Sequence, residues 1–535
     1  MPLTRWTPRT DYTKQELVLL KRLRRTRKLF AFLRDYRAQI FDDSFQAELE
    51  AMYRDTGAGQ VALPPALLAM ATLLQGYLGA SDAEAVELTV VDLRWQMVLD
   101  RLGADQAAFS QGVIFDFRQR LISHDMDLRV LERTVEFARS SGAFDWRKLP
   151  KSLRVAIDSS PLEGAGRVED TINLLAHAAR RIVVCAADLL GWPMERIARE
   201  AGIPALLEPS VKKALDIEWS VPGAKVDALN VLVAQIDALD EWIAKQLPDE
   251  TKKPPLKEHI DTLAQIRSQD LEPDPTGGGR TRIREGVAPD RRVSIEDAEM
   301  RHGRKSKSKR FNGFKRHAAT DLDTGLIVAC AVTPANRPEE EAAPALKADI
   351  ERQQRAIAEV HVDRGYIASP VIREILANGG EVLCKPWVPR NGKRFTKADF
   401  KINIRNLTIS CPAGEVEKIR AGSVVEFDPE ACDRCELRAQ CTMVAPGAGR
   451  TISIAEDERL QQRLRKLTAT PRGRARLRER VAVEHSLAHI ARRQGTRARY
   501  RGARKNLYDL RRASAIQNLE TVQRRTSQVE MRNAA

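Results

Sequence analysis

The sequence predicts an α/β protein whose mixed sheet, flanked by helices, is interrupted by other domains, and three observations predict it. Residues 1–150 carry helical texture throughout. Short β-branched apolar runs, LRVAIDSS and AEVHVD, end on acids, as buried strands do when their last residue reaches the surface. FKRHAATDLDTGLIVACAVT places two alternating runs around the turn residues Asp323, Thr324 and Gly325, the signature of a hairpin. At 535 residues the chain also exceeds what one hydrophobic core fills.

Taken in order, LLKRLRRTRKLF can sort on a helix into an apolar stripe and a basic face of Lys21, Arg22, Arg24, Arg25, Arg27 and Lys28, serving DNA or simply solvent. Pro64 and Pro65 open PALLAMATLLQGYLG, which ends at Gly79, and Ser81 with Glu84 forms a capping box for DAEAVELTVVDLRWQMVLDRL. Residues 109–124 make a further helix, so 1–150 form an N-terminal helical domain. Residues 151–164 hold the first strand of the sheet. Residues 165–300 read as a helical insertion, with VDALNVLVAQIDALDEWIAKQL its longest helix, followed by the linker TGGGRTRIREGVAPDRR. Residues 301–386 resume the sheet with the hairpin, a helix at 339–355, AEVHVD and EVLCKP. Residues 387–458 form a small β-rich insertion, 459–520 return to helix, and 521–535 make a flexible tail. No internal repeat of fixed period is present.

Composition narrows the function. Hydrophobic residues are 43% and charged residues 30%, which excludes global disorder. The 88 Lys and Arg outnumber 73 Asp and Glu for a net charge of +15 and a pI of about 9.6, with the excess concentrated in a few segments, so a polyanionic partner is expected. The longest apolar stretch, residues 65–80, is too short to cross a bilayer, and no apolar run follows the basic N-terminus, so a cytoplasmic protein without membrane contact is expected. Seven cysteines in this length are no secreted disulfide framework and fit a reducing compartment.

Asp158 ends the first strand and Asp363 ends AEVHVD, and parallel neighbouring strands would bring both carboxylates to one sheet edge, where α/β folds build sites. Glu484 lies in RLRERVAVEHSLAHIARR; residues 459–512 hold eighteen Lys or Arg against three Asp or Glu. An acid kept in so basic a region either neutralises it locally or serves a cation, and three carboxylates suit a hard divalent ion and two-metal phosphoryl transfer. A single Asp after a strand is most often a cap or turn residue; it is the joint placement that points to chemistry.

The sequence resembles the DDE transposases of bacterial insertion sequences, within the insertion sequence four superfamily and its group numbered eleven eighty-two. The resemblance rests on ALLAMATLLQGYLGASDAEAVELTVVDLRWQM, AIDSSPLEG, MRHGRKSKSKRFNGFKRHAATDLDTGLIVACAVTPAN, VDRGY and EHSLAHIARRQGTRARYRGARKNLYDLRRASAIQNL, which cover most of the chain in family order. It implies a ribonuclease-H-like catalytic core in which Asp158, Asp363 and Glu484 bind two Mg2+ or Mn2+ ions and activate water, then a DNA 3′-hydroxyl, for in-line attack. It also implies double-stranded DNA, as element ends and target, for partner, a homodimer on paired ends, residues 1–150 as the end-binding or dimerisation domain, and a place at the bacterial nucleoid. Relatives carry a Tyr, Arg, Glu, Lys signature around the last acid. Here Arg480 and Glu484 match, Leu477 stands for the Tyr and Ala491 for the Lys, with Arg492 or Arg493 as its substitute. The first motif reads AIDSS where relatives have Asp-Gly-Thr, which keeps the acid.

Two basic segments are candidate phosphate contacts. One holds Arg301, Arg304, Lys305, Lys307, Lys309, Arg310, Lys315 and Arg316 without an acid; the other holds Arg497, Arg499, Arg501, Arg504 and Lys505 beside Tyr500. A solvated loop and a packed tyrosine are the plainer readings. Arg480, Arg492 and Arg493 extend the same candidate surface.

Cys411, Cys432, Cys435 and Cys441 form a set with CxxC at its centre, inside short alternating runs such as KINIRNLTIS. Four thiolates suit a structural Zn2+; an iron–sulfur cluster or plain reduced thiols fit the same spacing. Cys185, Cys330 and Cys384 sit in apolar runs and read as packing residues. A non-catalytic DNA-binding protein derived from a transposase is the alternative function. A hydrolase of small phosphoesters would need a phosphate-cradling glycine loop, and Gly277, Gly278 and Gly279 read as linker instead.

Overall fold

The computed structural model describes residues 4–23, 28–54, 61–215, 218, 220–221, 223–275, 277–306 and 308–533. In chain order its main strands are β1 (Leu153–Glu163), the short hairpin β2 (Leu271–Pro273) and β3 (Thr281–Ile283), β4 (Arg301–Arg304), β5 (Arg310–Asp321), β6 (Ile327–Pro334), β7 (Ile357–His361) and β8 (Glu381–Leu383). Six of them form one mixed sheet. β1 lies at its middle, antiparallel to β5 on one side and parallel to β7 on the other, and β8 continues the parallel half. β4 and β6 share the outer edge of β5, pairing with its first and second halves. This mixed sheet flanked by helices is consistent with a ribonuclease-H-like domain.

β1 reads as a nearly unbroken apolar run because both its faces are covered: Val155, Ala156 and Ile157 are all buried. The hairpin turns where the sequence predicts. Asp321 accepts from the Gly325 amide at 2.7 Å and from Thr324 Oγ1 at 2.8 Å, and Gly325 takes a φ of +75°, which glycine adopts without a Cβ penalty.

The N-terminal helices match their signals. The helix Pro65–Leu78 ends on Gly79 in the left-handed region, and Ser81 and Glu84 exchange both capping-box bonds at the start of Asp82–Val91. The helix then stops at Asp92, whose carboxylate caps the separate helix Leu93–Val98, so one predicted helix is two. Of the basic N-terminal stretch, Lys14–Leu23 and Lys28–Ile40 are helical, while Arg24, Arg25 and Arg27 lie outside the described residues.

Two expectations need correction. Residues 1–150 have no core of their own: a single apolar cluster runs from Trp6 and Phe30 through Trp95 and Leu131 to Ile157, Val360, Tyr508 and Val522. Of the segment expected as a flexible tail, residues 521–533 belong to the 31-residue helix Ala503–Asn533, with Thr521 and Val522 buried, and 534–535 lie outside the described residues. Its apolar residues had to find the sheet, and Asn518 fixes how they do so. The Asn518 side chain accepts from the Ile327 amide at 2.7 Å and donates to the Ile327 carbonyl at 2.9 Å and to Thr134 at 3.0 Å. Each such bond contributes about 1 kcal/mol net, and losing the residue would strand buried backbone groups of β6.

Between β1 and β4 the chain makes a helical unit with its own core, built on the helices Thr171–Leu190, Ala224–Gln246 and Leu256–Asp270. The β2–β3 hairpin brackets the glycines, so the expected linker is partly sheet. After β8, a small lobe carries β9 (Lys401–Asn403), β10 (Thr408–Ser410), β11 (Val416–Lys418), β12 (Val424–Glu426) and β13 (Thr451–Ser453), in a three-stranded and a two-stranded sheet. The chain then enters the helices Glu458–Ala469, Pro471–Arg478 and Val481–Gln494.

Candidate active site

Register brings the first two acids together. Ala156 of β1 pairs with His361 of β7, and since alternate residues share a face, Asp158 and Asp363, each two residues further on, emerge side by side beyond the parallel pair. Asp158 is buried and accepts from the Ser159 amide at 2.8 Å. Asp363 is exposed, just past β7, and caps the short turn Arg364–Tyr366 by accepting from the Arg364 amide at 2.6 Å.

The third acid arrives on a helix packed over β1 and β5. Arg480, at the N-terminal edge of Val481–Gln494, donates through Nη1 to Asp158 Oδ2 at 2.6 Å and through Nη2 to Glu484 Oε1 at 2.7 Å. One guanidinium thus joins carboxylates from the sheet and the helix. Burial pushes the Asp158 carboxyl above its ordinary range, with Asp363 adding to it, while Arg480, the Ser159 amide and Lys305 pull the other way. Burial alone would lower the Arg480 guanidinium, but Asp158, Asp363 and Glu484 outweigh it and hold it above its usual value. Asp158 and Glu484 share the Arg480 guanidinium and Asp363 lies near enough to act on its charge, while the three carboxylates stand further apart than a coordinated set; as oxygen donors they suit a hard divalent ion.

Beneath the site lies a network that the sequence reading missed. Glu359 and His361, preceding Asp363 on the same face of β7, meet Glu479 from the helical segment, with one ligand atom of each within 4.8 Å of the others. Among the described residues no other group of three or more His, Cys, Asp or Glu is so close. Arg154 bonds Glu359 at 3.0 Å, Asp323 at 3.1 Å and Glu479, and Arg476 bonds Glu359 at 2.5 Å and Glu381 at 2.7 Å. The acids are therefore matched by arginines, and the network fastens helix to sheet. The alternation Glu359, His361, Asp363 was the available signal.

A second missed feature is a chain of buried polar groups behind Asp363. Thr333 Oγ1 lies 2.9 Å from His317 Nε2, and Tyr366 Oη 2.6 Å from His317 Nδ1. Ser159 donates to Glu339, which brings a fourth carboxylate next to the site. Gly365 leaves room for it: a Cβ there would lie 2.3 Å from Glu339 Oε2. Burial holds the His317 imidazole down to about 3, so it is neutral.

The basic candidates divide by placement. Arg304, Lys309 and Arg310 are exposed, and Lys305, also exposed, donates to the Ser159 carbonyl at 3.2 Å beside Asp158. Lys315 reaches the Arg337 carbonyl at 2.6 Å, and Arg301 pairs with Asp290 at 3.0 Å. Arg316 is buried at 2% exposure, bonded to Ser160, Gln494, Gly495 and Pro161, which leaves it no open face for a phosphate. Arg493 pairs with Glu520 at 2.7 Å and packs on Tyr77, facing away from Glu484; Arg492 is exposed. Arg497 and Arg499 donate to backbone carbonyls of Ala165 and Gly79, Arg501 pairs with Glu296, and Arg504 with Asp127. Lys505 is exposed. Lys307 lies outside the described residues. Next to Asp363 opens a groove of about 1190 Å3, lined in part by Arg304, Lys315, Arg364, Trp387, Arg459 and Arg463, with Trp387 58% exposed under the Arg364 guanidinium.

Residues 280–519 match the family described as transposase DDE domain, and residues 20–120 match the transposase domain DUF772. The presence of both transposase domains in one chain is consistent with an insertion-sequence DDE transposase. Asp363 and Glu484 fall within the first matched span; Asp158 falls in neither. No curated protein and no solved structure matches the chain. Among the described residues no helix is long and apolar enough to cross a membrane.

Proposed function

We propose that this transposase cleaves double-stranded DNA at the ends of its insertion sequence and joins the freed 3′-hydroxyls to target DNA, acting as a homodimer on paired ends at the bacterial nucleoid. The motif order supports the group numbered eleven eighty-two within that family. The observation that supports the reading is the bridge that Arg480 makes between Asp158 and Glu484, with Asp363 brought beside Asp158 by the β1–β7 register.

Asp158, Asp363 and Glu484 hold two Mg2+ or Mn2+ ions, which when bound supply Lewis acidity for in-line phosphoryl displacement. The protein's own groups prepare that step. The sheet fixes Asp158 against rotation through the Ser159 amide, and the turn Arg364–Tyr366 fixes Asp363. Arg480 offsets mutual repulsion of the acids, and Lys305 adds positive charge at the same edge. The groove beside Asp363, with exposed cations and an aromatic face, suits a nucleic-acid backbone and base.

The test is cleavage of a terminal-repeat duplex with Mg2+, using Asp158→Asn, Asp363→Asn and Glu484→Gln. Each variant should bind the duplex and fail to cut it. Cleavage surviving in Asp158→Asn or Asp363→Asn overturns the reading; duplex binding that is indifferent to chelator, with no scission by the parent protein, favours a DNA-binding role without catalysis.

A further inference from the structure

The small lobe between β8 and the helix Glu458–Ala469 has too little core for its length. Its buried apolar residues are Phe400, Ile409, Ile419, Val425, Phe427, Ile452 and Ile454, and each of its five strands is three residues long. Lobes of this size are usually held by a disulfide or a metal. No disulfide is present.

Cys411, Cys432, Cys435 and Cys441 instead line one cavity of about 30 Å3, closed by Phe395, Phe427 and two arginines. They come from three chain segments. Cys411 opens a tight turn in which the Gly414 amide donates to its carbonyl at 3.0 Å. Cys432 lies in the helix Pro429–Asp433 with Cys435 two residues past its end, and Cys441 ends the helix Arg438–Cys441.

The cavity wall gives a second, independent sign. Arg450 and Arg438 line the cavity with the thiols; Arg438 is paired with Asp433 at 2.9 Å, whereas Arg450 Nε is buried without a hydrogen-bond partner. A buried guanidinium nitrogen left unsatisfied is costly. Four thiolates around a divalent ion carry two net negative charges, which Arg450 would offset in part.

We propose that Cys411, Cys432, Cys435 and Cys441 bind one Zn2+ ion as a structural centre that staples this lobe. The sulfurs surround the cavity at wider spacing than a coordinated set; the ion draws them in and, by linking three segments, takes over the work of the missing core. An iron–sulfur cluster is the rival occupant of four cysteine thiolates, and metal analysis separates the two.

The full-length protein, purified without chelator, should contain about one zinc per chain, released when a mercurial titrates the thiols. In Cys432→Ser and Cys435→Ser zinc should fall at least tenfold, while Cys185→Ser, in the helical unit, should keep it. Because a serine variant can unfold locally, the parent protein is tested as well. Chelator should expose the four thiols to a disulfide reagent, and added Zn2+, but not Mg2+, should protect them again. Absence of zinc both as purified and after incubation with Zn2+, zinc retained in both serine variants, or iron with visible charge-transfer absorption would each overturn the assignment. None of these readouts uses DNA cleavage, so the result is independent of the proposed reaction.

Discussion

Arg480 Nη1 donates to Asp158 Oδ2 at 2.6 Å across 322 residues of sequence. Arg480 is the internal cation of a site built from acids, and its removal should make the protein lean on an external one. Arg480→Gln should cost about 1–3 kcal/mol, because it leaves a buried carboxylate without its charged partner. In thermal melts the rise in Tm on adding Mg2+ should be larger for Arg480→Gln than for the parent. An equal or smaller rise would show that Arg480 does not shield the same charges.

Tyr366 and His317 meet in a wholly buried position behind Asp363. Tyr366→Phe removes the hydroxyl and leaves the imidazole unsatisfied, at a cost of about 1–3 kcal/mol. Since the turn that carries Asp363 ends at Tyr366, cleavage should slow while affinity for end DNA holds. Loss of affinity with unchanged cleavage rate would place Tyr366 on the DNA path instead.

The same imidazole sets a pH dependence. The folded pKa of His317 is depressed to about 3, against about 6.5 in the unfolded chain, so between these values the unfolded state binds more protons. The stability tied to neutral His317 is complete above about pH 6.5 and is lost progressively as pH falls toward 3. The drop in Tm between pH 7 and pH 5 should shrink in His317→Asn, measured against the parent in the same buffers.

Charge near the site separates by burial. Lys305→Ala and Arg310→Ala should each weaken DNA binding and reduce the salt slope by about one phosphate contact. Arg316→Ala should leave the slope alone and lower stability, by about 3 kcal/mol, since it strips a buried guanidinium from four partners. Filter binding across a salt series, beside chemical denaturation, checks both.

Asp363 was legible in the sequence because it follows a β-branched run that ends there; Asp158 was found by the same signal, but β1 runs on to Glu163, so the acid lies mid-strand, two residues past the end of the pairing with β7, rather than at a strand end. Glu484 stood out as an acid among arginines. What the sequence hid was everything that depends on register between distant segments. Arg154 reads as an ordinary charge at a strand start, yet the parallel pairing of β1 with β7 sets it against Glu359. Arg316 and Arg493 look like phosphate contacts in a basic run, and only packing turns them inward. The merging of the N-terminal helices with the sheet was invisible because an amphipathic helix does not say which apolar surface it covers.

The long helix that seats Asn518 against β6 is made only after every strand of the six-stranded sheet has been made. Until residues 503–533 emerge, the edge of β6 and the helix Met126–Ser140 lack the surface that joins them. A nascent or prematurely terminated chain therefore holds Asp158 and Asp363 on an unfinished scaffold.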